Sequence, residues 1–152
     1  MKKELEDSLF EKYPQILKRE NLKYGFSCGD GWFPIIDRAC SFVQNHTDWH
    51  NAQGEYSVRE SPIDGVTIPQ FEMRQVKEKF GGLRLYGTGF TDYTRGAIDM
   101  AEGMSYRICE VCGSTGSLRK SRWWQTLCDQ HNEEREAKNR SQSAPQENEG
   151  GE

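Results

Sequence analysis

The sequence predicts an α+β fold: N-terminal helices, a β-hairpin, one further helix and a small Cys/His finger closing the C-terminal third. Three observations carry this expectation. The segments 2–13 and roughly 32–45 repeat apolar residues at helical spacing. Two strand-like runs meet at Gly81-Gly82. Beyond them the chain carries Cys109-x2-Cys112-x15-Cys128-x2-His131.

In the first segment Leu5, Leu9 and Phe10 share one side, with Lys and Glu elsewhere. Pro14 interrupts it, and Ile16 and Leu17 are read as continuing the helical run. Gly25–Gly31 is a turn-rich linker in which Asp30 is placed to cap the second helix. That helix would bury Trp32, Ile35, Ile36, Ala39, Phe42 and Val43, with Pro34 tolerated in the first turn. Residues 46–65 are polar and rich in turn formers, which predicts a loop, and Val66-Thr67-Ile68 reads as a short strand.

Phe71–Phe80 and Leu83–Tyr86 flank the Gly-Gly pair, which predicts a two-residue hairpin loop, because both central positions of such a loop need positive φ. The competing reading is a helix through Gln75–Phe80 ended by a glycine cap. As a hairpin with Gly81-Gly82 in the loop, Phe80 opposes Leu83, Lys79 opposes Arg84, Glu78 opposes Leu85 and Lys77 opposes Tyr86. Residues 92–105 predict a helix capped by Thr91 or Asp92, with Ile98, Ala101 and Met104 or Ser105 turned inward. The body is thus 1–105 and the finger 106–138. The polar tail 139–152 cannot bury enough apolar area to repay its ordering, so it is expected to be disordered.

The 152-residue length suits one domain with a small appended module, and four Trp, six Tyr and seven Phe can anchor a modest core. No apolar stretch approaches the roughly 18–20 residues that span a bilayer. The opening Met1-Lys2-Lys3-Glu4-Leu5-Glu6-Asp7 has no apolar signal run. A cytoplasmic chain without membrane contact is the expectation. Five cysteines, two of them as Cys-x-x-Cys, favour metal over disulfides in such a reducing compartment. Of the formal net charge of −4, −3 falls in 132–152, which leaves a near-neutral body with no bulk basic field.

Thiolate and imidazole suit zinc, and Cys109, Cys112, Cys128 and His131 would close a tetrahedral shell with no position left for a substrate water. The expected cofactor is therefore structural Zn2+. Gly113 lets the chain curl behind Cys112. Leu118-Arg119-Lys120 and Trp124-Gln125-Thr126-Leu127 flank Ser121-Arg122-Trp123 as a hairpin, and Cys128 precedes a helix from Asp129 to about Lys138. Knuckle, hairpin and helix-borne second ligand pair make a treble-clef-like finger.

Gln75-Val76-Lys77-Glu78-Lys79-Phe80-Gly81-Gly82-Leu83-Arg84, with Cys109–Gly113 and Thr126–His131, resembles a family of small uncharacterised bacteriophage and prophage proteins. Gly29-Asp30-Gly31-Trp32 also resembles a Gly-Asp-Gly-aromatic element of that family. The resemblance spans roughly 10–132. It implies a phage or prophage origin, hence the host-cell cytoplasm, and no established activity.

The hairpin would gather Lys77, Lys79 and Arg84 beside Tyr86 on one face, inviting an anion, against the alternative of a plain solvated face. Arg119, Lys120 and Arg122 of the finger lie next to Trp123 and Trp124, a mixture that can grip nucleic acid and stack bases, although one of the tryptophans is expected to plug the finger. Cys28 precedes a helix, but a thiol nucleophile needs a positioned base, and only His46, His50 and His131 exist. Cys28 and Cys40 are expected to be structural. His46, Asp48 and His50 form a weak second-metal pattern. His131-Asn132 resembles treble-clef nucleases without their hydrolytic site. The expected function is accordingly a non-enzymatic phage accessory protein, an inhibitor or adaptor that binds a host or phage protein. Nucleic acid is the alternative partner, and a nuclease-like or thiol enzyme is the third class.

Overall fold

The computed structural model describes residues 1–51 and 67–143. Helix α1, Lys3–Lys12, buries Leu9 and Phe10 as its spacing predicts. The helix does not resume after Pro14. Ile16 and Leu17 are buried in a turn instead, where both backbone N–H groups donate to the Tyr13 carbonyl at 3.1 and 2.8 Å. The Ile16 carbonyl then accepts from Met73 N–H at 2.8 Å, which joins the turn to the sheet.

Strand β1, Phe26–Ser27, runs parallel to β2, Glu72–Lys79, and β2 is antiparallel to β3, Gly82–Thr88. The sheet order is β1-β2-β3. The hairpin forms, with a register two residues away from the expected one. Lys79 pairs with Gly82, so the loop residues are Phe80 and Gly81, at φ 53° and 78°. Glu78 therefore opposes Leu83, Lys77 opposes Arg84 and Gln75 opposes Tyr86. A slip of two keeps each side chain on its face, so Lys77, Lys79, Arg84 and Tyr86 still share one side while Val76, Leu83 and Leu85 enter the core. Gly82 serves close approach rather than turning, because an added Cβ would stand 2.4 Å from the Tyr106 ring.

A short 3-10 helix, Asp30–Trp32, leads into α2, Phe33–Asn51. Asp30 does not cap α2. Its carboxylate accepts from Lys2 N–H at 2.7 Å and pairs with Lys2 Nζ at 3.4 Å. Residues 46–51, expected as loop, continue the helix: Thr47 is buried with its hydroxyl on the Val43 carbonyl at 3.0 Å. The Asn51 amide exchanges hydrogen bonds with the Ile68 backbone at 2.9 and 3.1 Å. Thr67 and Ile68 are not strand. Val66 and the rest of the expected loop lie outside the described residues.

Helix α3, Asp92–Ser105, is capped by Thr91 in a capping box with Thr94. Thr94, Ile98, Ala101 and Ser105 turn inward, and Met104 faces solvent. α3 also covers the outer edge of the sheet. Leu83 N–H donates to Ser105 Oγ at 2.9 Å, and Leu85 N–H to Glu102 Oε1 at 2.7 Å. Edge amides that would otherwise template another strand are satisfied internally.

Candidate metal centre

After α3 the chain forms a knuckle, Cys109–Gly113, then β4 (Ser117–Arg119), β5 (Gln125–Leu127) and α4 (Asp129–Ser143). Gly113 takes φ 78°, its N–H donates to the Cys109 carbonyl at 2.9 Å, and Cys109 N–H donates to the Ser114 carbonyl at 2.7 Å. Glycine is required at that position by its left-handed backbone. Cys128 ends the hairpin, and the first turn of α4 brings His131 back over it. α4 runs to Ser143, five residues past the expected stop at Lys138, supported by i,i+4 bonds from Gln130 to Glu134 and from Asn132 to Glu136. Residues 144–152 lie outside the described residues.

The ligand atoms of Cys109, Cys112, Cys128 and His131 all lie within 4.8 Å of one another. A tetrahedral zinc with Zn–S near 2.3 Å and Zn–N near 2.05 Å implies S···S edges of about 3.8 Å and S···N edges of about 3.6 Å. Cys112 Sγ to Cys128 Sγ is 3.9 Å, and Cys109 Sγ to His131 Nδ1 is 3.6 Å. Cys128 Sγ to His131 Nδ1, at 3.1 Å, is shorter than that edge. The donor set is thus compatible with a metal ion, with three sulfurs and Nδ1 converging on one point. The far nitrogen of His131, Nε2, lies 4.0 Å from the Glu134 carboxylate, beyond direct hydrogen-bond distance. Hydrogen bonds from the Ser114 hydroxyl and N–H hold the Cys112 thiol down to about 6, which favours thiolate at neutral pH.

The knuckle is seated on the body by the Gly29-Asp30-Gly31 element. Gly31 N–H donates to the Glu110 carbonyl at 2.8 Å, Gly29 N–H to Glu110 Oε1 at 3.0 Å, and Trp32 Nε1–H to the Ile108 carbonyl at 2.9 Å. A Cβ on Gly29 would lie 2.2 Å from the Glu110 carbonyl oxygen, and one on Gly31 would lie 2.2 Å from that of Cys109. Only glycine lets the two backbones touch. Burial raises the Glu110 carboxyl above its usual range. A second seat lies at the hairpin tip, where Thr126 Oγ1 donates to the Gly81 carbonyl at 2.6 Å and a Cβ on Gly81 would meet Leu118.

No protein-family model, curated protein or solved structure matches this chain. Function has to be argued from the sites themselves.

The basic residues singled out in the sequence separate into two groups. Arg84 is half-buried, donating to the Tyr106 hydroxyl at 2.8 Å with Glu102 at 3.8 Å, and Arg119 pairs with Asp129. These two are engaged internally. Lys77 lies 5.1 Å from the Tyr86 ring centroid, and Lys79, Lys120 and Arg122 are exposed. Trp123 and Trp124 do not plug the finger: they are 67% and 41% exposed, and buried Leu127 sits inside it. Cys28 and Cys40 are buried in the body, where desolvation pushes both thiols up to about 12. His46 and His50 sit on α2, with His46 stacked on Tyr93 at 4.0 Å. Among the described residues, Cys109, Cys112, Cys128 and His131 are the one Cys/His/carboxylate group placed to hold a metal.

Sequence reasoning missed an apolar groove between α2 and α3. Ala39, Gly96, Ala97 and Ala101 line it together with Phe42, Tyr93, Met100 and Met104. The signal was present in the second apolar stripe of α3, where Tyr93, Ala97, Met100 and Met104 recur at helical spacing.

Proposed function

We propose that this chain is a non-catalytic binding protein, stapled by a structural zinc ion at Cys109, Cys112, Cys128 and His131, that receives an amphipathic helix of a partner protein in the α2–α3 groove. The groove carries the reading. Phe42, Tyr93, Met100 and Met104 leave 37 to 67% of their surface exposed along it. Helical stripes that include small residues let a third helix backbone approach closely, and flexible methionines adapt to its anchors. Arg38 and Asp92 on the groove lining make no ion pair among the described residues, so they offer opposite charges to a helix carrying a carboxylate and a cation. Four protein ligands leave the zinc no open position for a substrate, and both body thiols are held protonated. The resemblance to bacteriophage proteins is in keeping with an accessory protein that inhibits or adapts a host or phage protein.

The test is site-specific photo-crosslinking from position 100 in living cells. One dominant protein adduct is expected, abolished by Gly96→Leu, which adds a bulky side chain to the groove lining at a position where an added Cβ meets nothing within 4 Å. A self-adduct would reassign the groove to a second copy of the chain. No adduct, or one indifferent to Gly96→Leu, would remove the groove reading. Metal analysis of the purified protein tests the zinc separately, with one equivalent expected.

A further inference from the structure

The tip of the β2–β3 hairpin and the loop of the finger hairpin meet. Phe80, Trp123 and Trp124 enclose there a cleft of about 720 Å³, shared with Glu78, Lys79 and Arg122. Phe80 and Trp124 sit edge to face with ring centroids 6.4 Å apart. Phe80 is 65% exposed, so the fold gains little by burying it.

Its backbone makes the position more telling. Phe80 is the one non-glycine residue with positive φ among the described residues, at 53°. A bulky side chain is strained in that region. A two-residue loop of this kind is ordinarily built with Asn, Asp or Gly at its first position. A strained aromatic held in solvent, opposite two further exposed aromatics, is better explained by contact with a ligand than by stability.

The charges around the cleft select the ligand. Lys79 Nζ lies 5.5 Å from the Phe80 ring centroid, Lys120 Nζ lies 5.0 Å from that of Trp124, and Arg122 lines the cleft. The one carboxylate in the lining, Glu78, already accepts from the Gly81 N–H at 2.6 Å. Three cations disfavour a cationic guest in an aromatic cage. They suit a polyanion that also carries flat aromatic groups. Single-stranded nucleic acid has both, with unpaired bases free to stack, whereas a duplex keeps its base faces covered.

We propose that this tip binds single-stranded nucleic acid, with bases stacked on Phe80, Trp123 and Trp124 and phosphates met by Lys79, Lys120 and Arg122. The site is separate from the α2–α3 groove and does not depend on it.

The test uses the full zinc-loaded chain and a labelled oligodeoxythymidylate at low salt. Binding is read by anisotropy and by tryptophan emission, since stacked bases quench exposed indoles. Saturable binding with quenching is expected, and weaker binding to a duplex of equal length. Phe80→Asn, which relieves the strained turn, should weaken binding about tenfold, the loss expected for one stacked base. Lys79→Gln, Lys120→Gln and Arg122→Gln together should flatten the plot of log affinity against log salt by about 2, the contribution of three phosphates on a single strand. Gly96→Leu should change neither. The proposal is overturned by absence of binding, by equal affinity for duplex, or by an unchanged Phe80→Asn variant. Equally strong competition by polyglutamate would overturn it too, and would reassign the tip to acidic proteins.

Discussion

Gly31→Ala places a single methyl group against the metal knuckle. The new Cβ would stand 2.2 Å from the Cys109 carbonyl oxygen, 2.4 Å from Gly113 N and 2.8 Å from Cys112 N. All three are backbone atoms, so no side-chain rotation relieves the contact, and the knuckle must withdraw by about 1 Å to restore ordinary van der Waals separation. Withdrawal breaks or stretches three hydrogen bonds: Gly31 N–H to the Glu110 carbonyl, Gly29 N–H to Glu110 Oε1, and Trp32 Nε1–H to the Ile108 carbonyl. At about 0.5–1.5 kcal/mol each, their loss is worth about 2–4 kcal/mol. For a chain of this size that lowers the melting temperature by about 5–15 °C. Two of the four ligands move with the knuckle, so metal affinity should fall by about tenfold to a hundredfold, as when an outer-shell partner is removed. Thermal melts of the metal-loaded protein and titration with a competing chelator measure the two effects. Gly96→Ala is the control, because nothing lies within 4 Å of its added Cβ. A Gly31→Ala protein that melts and holds metal like the parent would refute the argument that the knuckle is seated on this glycine.

Other outcomes follow from the same geometry. Phe80→Asn should raise stability by about 1 kcal/mol by relieving the positive-φ strain, seen as a higher denaturation midpoint with an unchanged slope; a lower midpoint would show that Phe80 packs usefully in the free protein. Glu72 is held below the usual carboxylate range, first by its hydrogen bond from Lys18 and then by the charges of Lys18 and Arg74. Its folded-state pKa is depressed, so its contribution is present above the ordinary glutamate range and is lost as pH falls through the lowered value. Glu72→Gln should therefore flatten the acid limb of stability against pH, and an unchanged limb would sink the assignment. Cys112→Ser should speed amide exchange through β4, β5 and the start of α4 and leave α2 and β2 protected; uniform loss of protection would show that finger and body unfold together.

What was legible in the sequence was short-range. The spacing Cys109-x2-Cys112 and Cys128-x2-His131 needs only a knuckle and one helical turn, and Thr91, two residues before Tyr93, announces its own helix. The register of the hairpin was not legible, because Gly81-Gly82 looks like a loop dipeptide. Gly82 is instead a strand residue kept small for Tyr106, and Phe80 takes the left-handed position against its preference. Gly29-Asp30-Gly31 reads locally as linker and cap. Its role depends on Glu110, far along the chain, and no local pattern encodes that contact. Residues 46–51 are polar enough to pass for loop, and their packing depends on distant partners: His46 stacks on Tyr93, Asn51 bonds the Ile68 backbone and Thr47 is buried. For the cations, alternation gave the face correctly but not the partners: Arg84 is occupied by Glu102 and Tyr106. The proposed nucleic-acid contacts involve a different subset.

Both seats of the finger, Gly29–Gly31 and Gly81–Gly82, precede its first ligand in the chain, and Cys128 and His131 come last. A ribosome releases residues in that order, and domains fold as units when enough chain has emerged. The receiving surface can therefore be assembled while the thiols are still inside the exit tunnel. Metal capture then follows the formation of the body. Cells starved of the metal would accumulate a formed body with an unfinished finger, open to proteolysis there first.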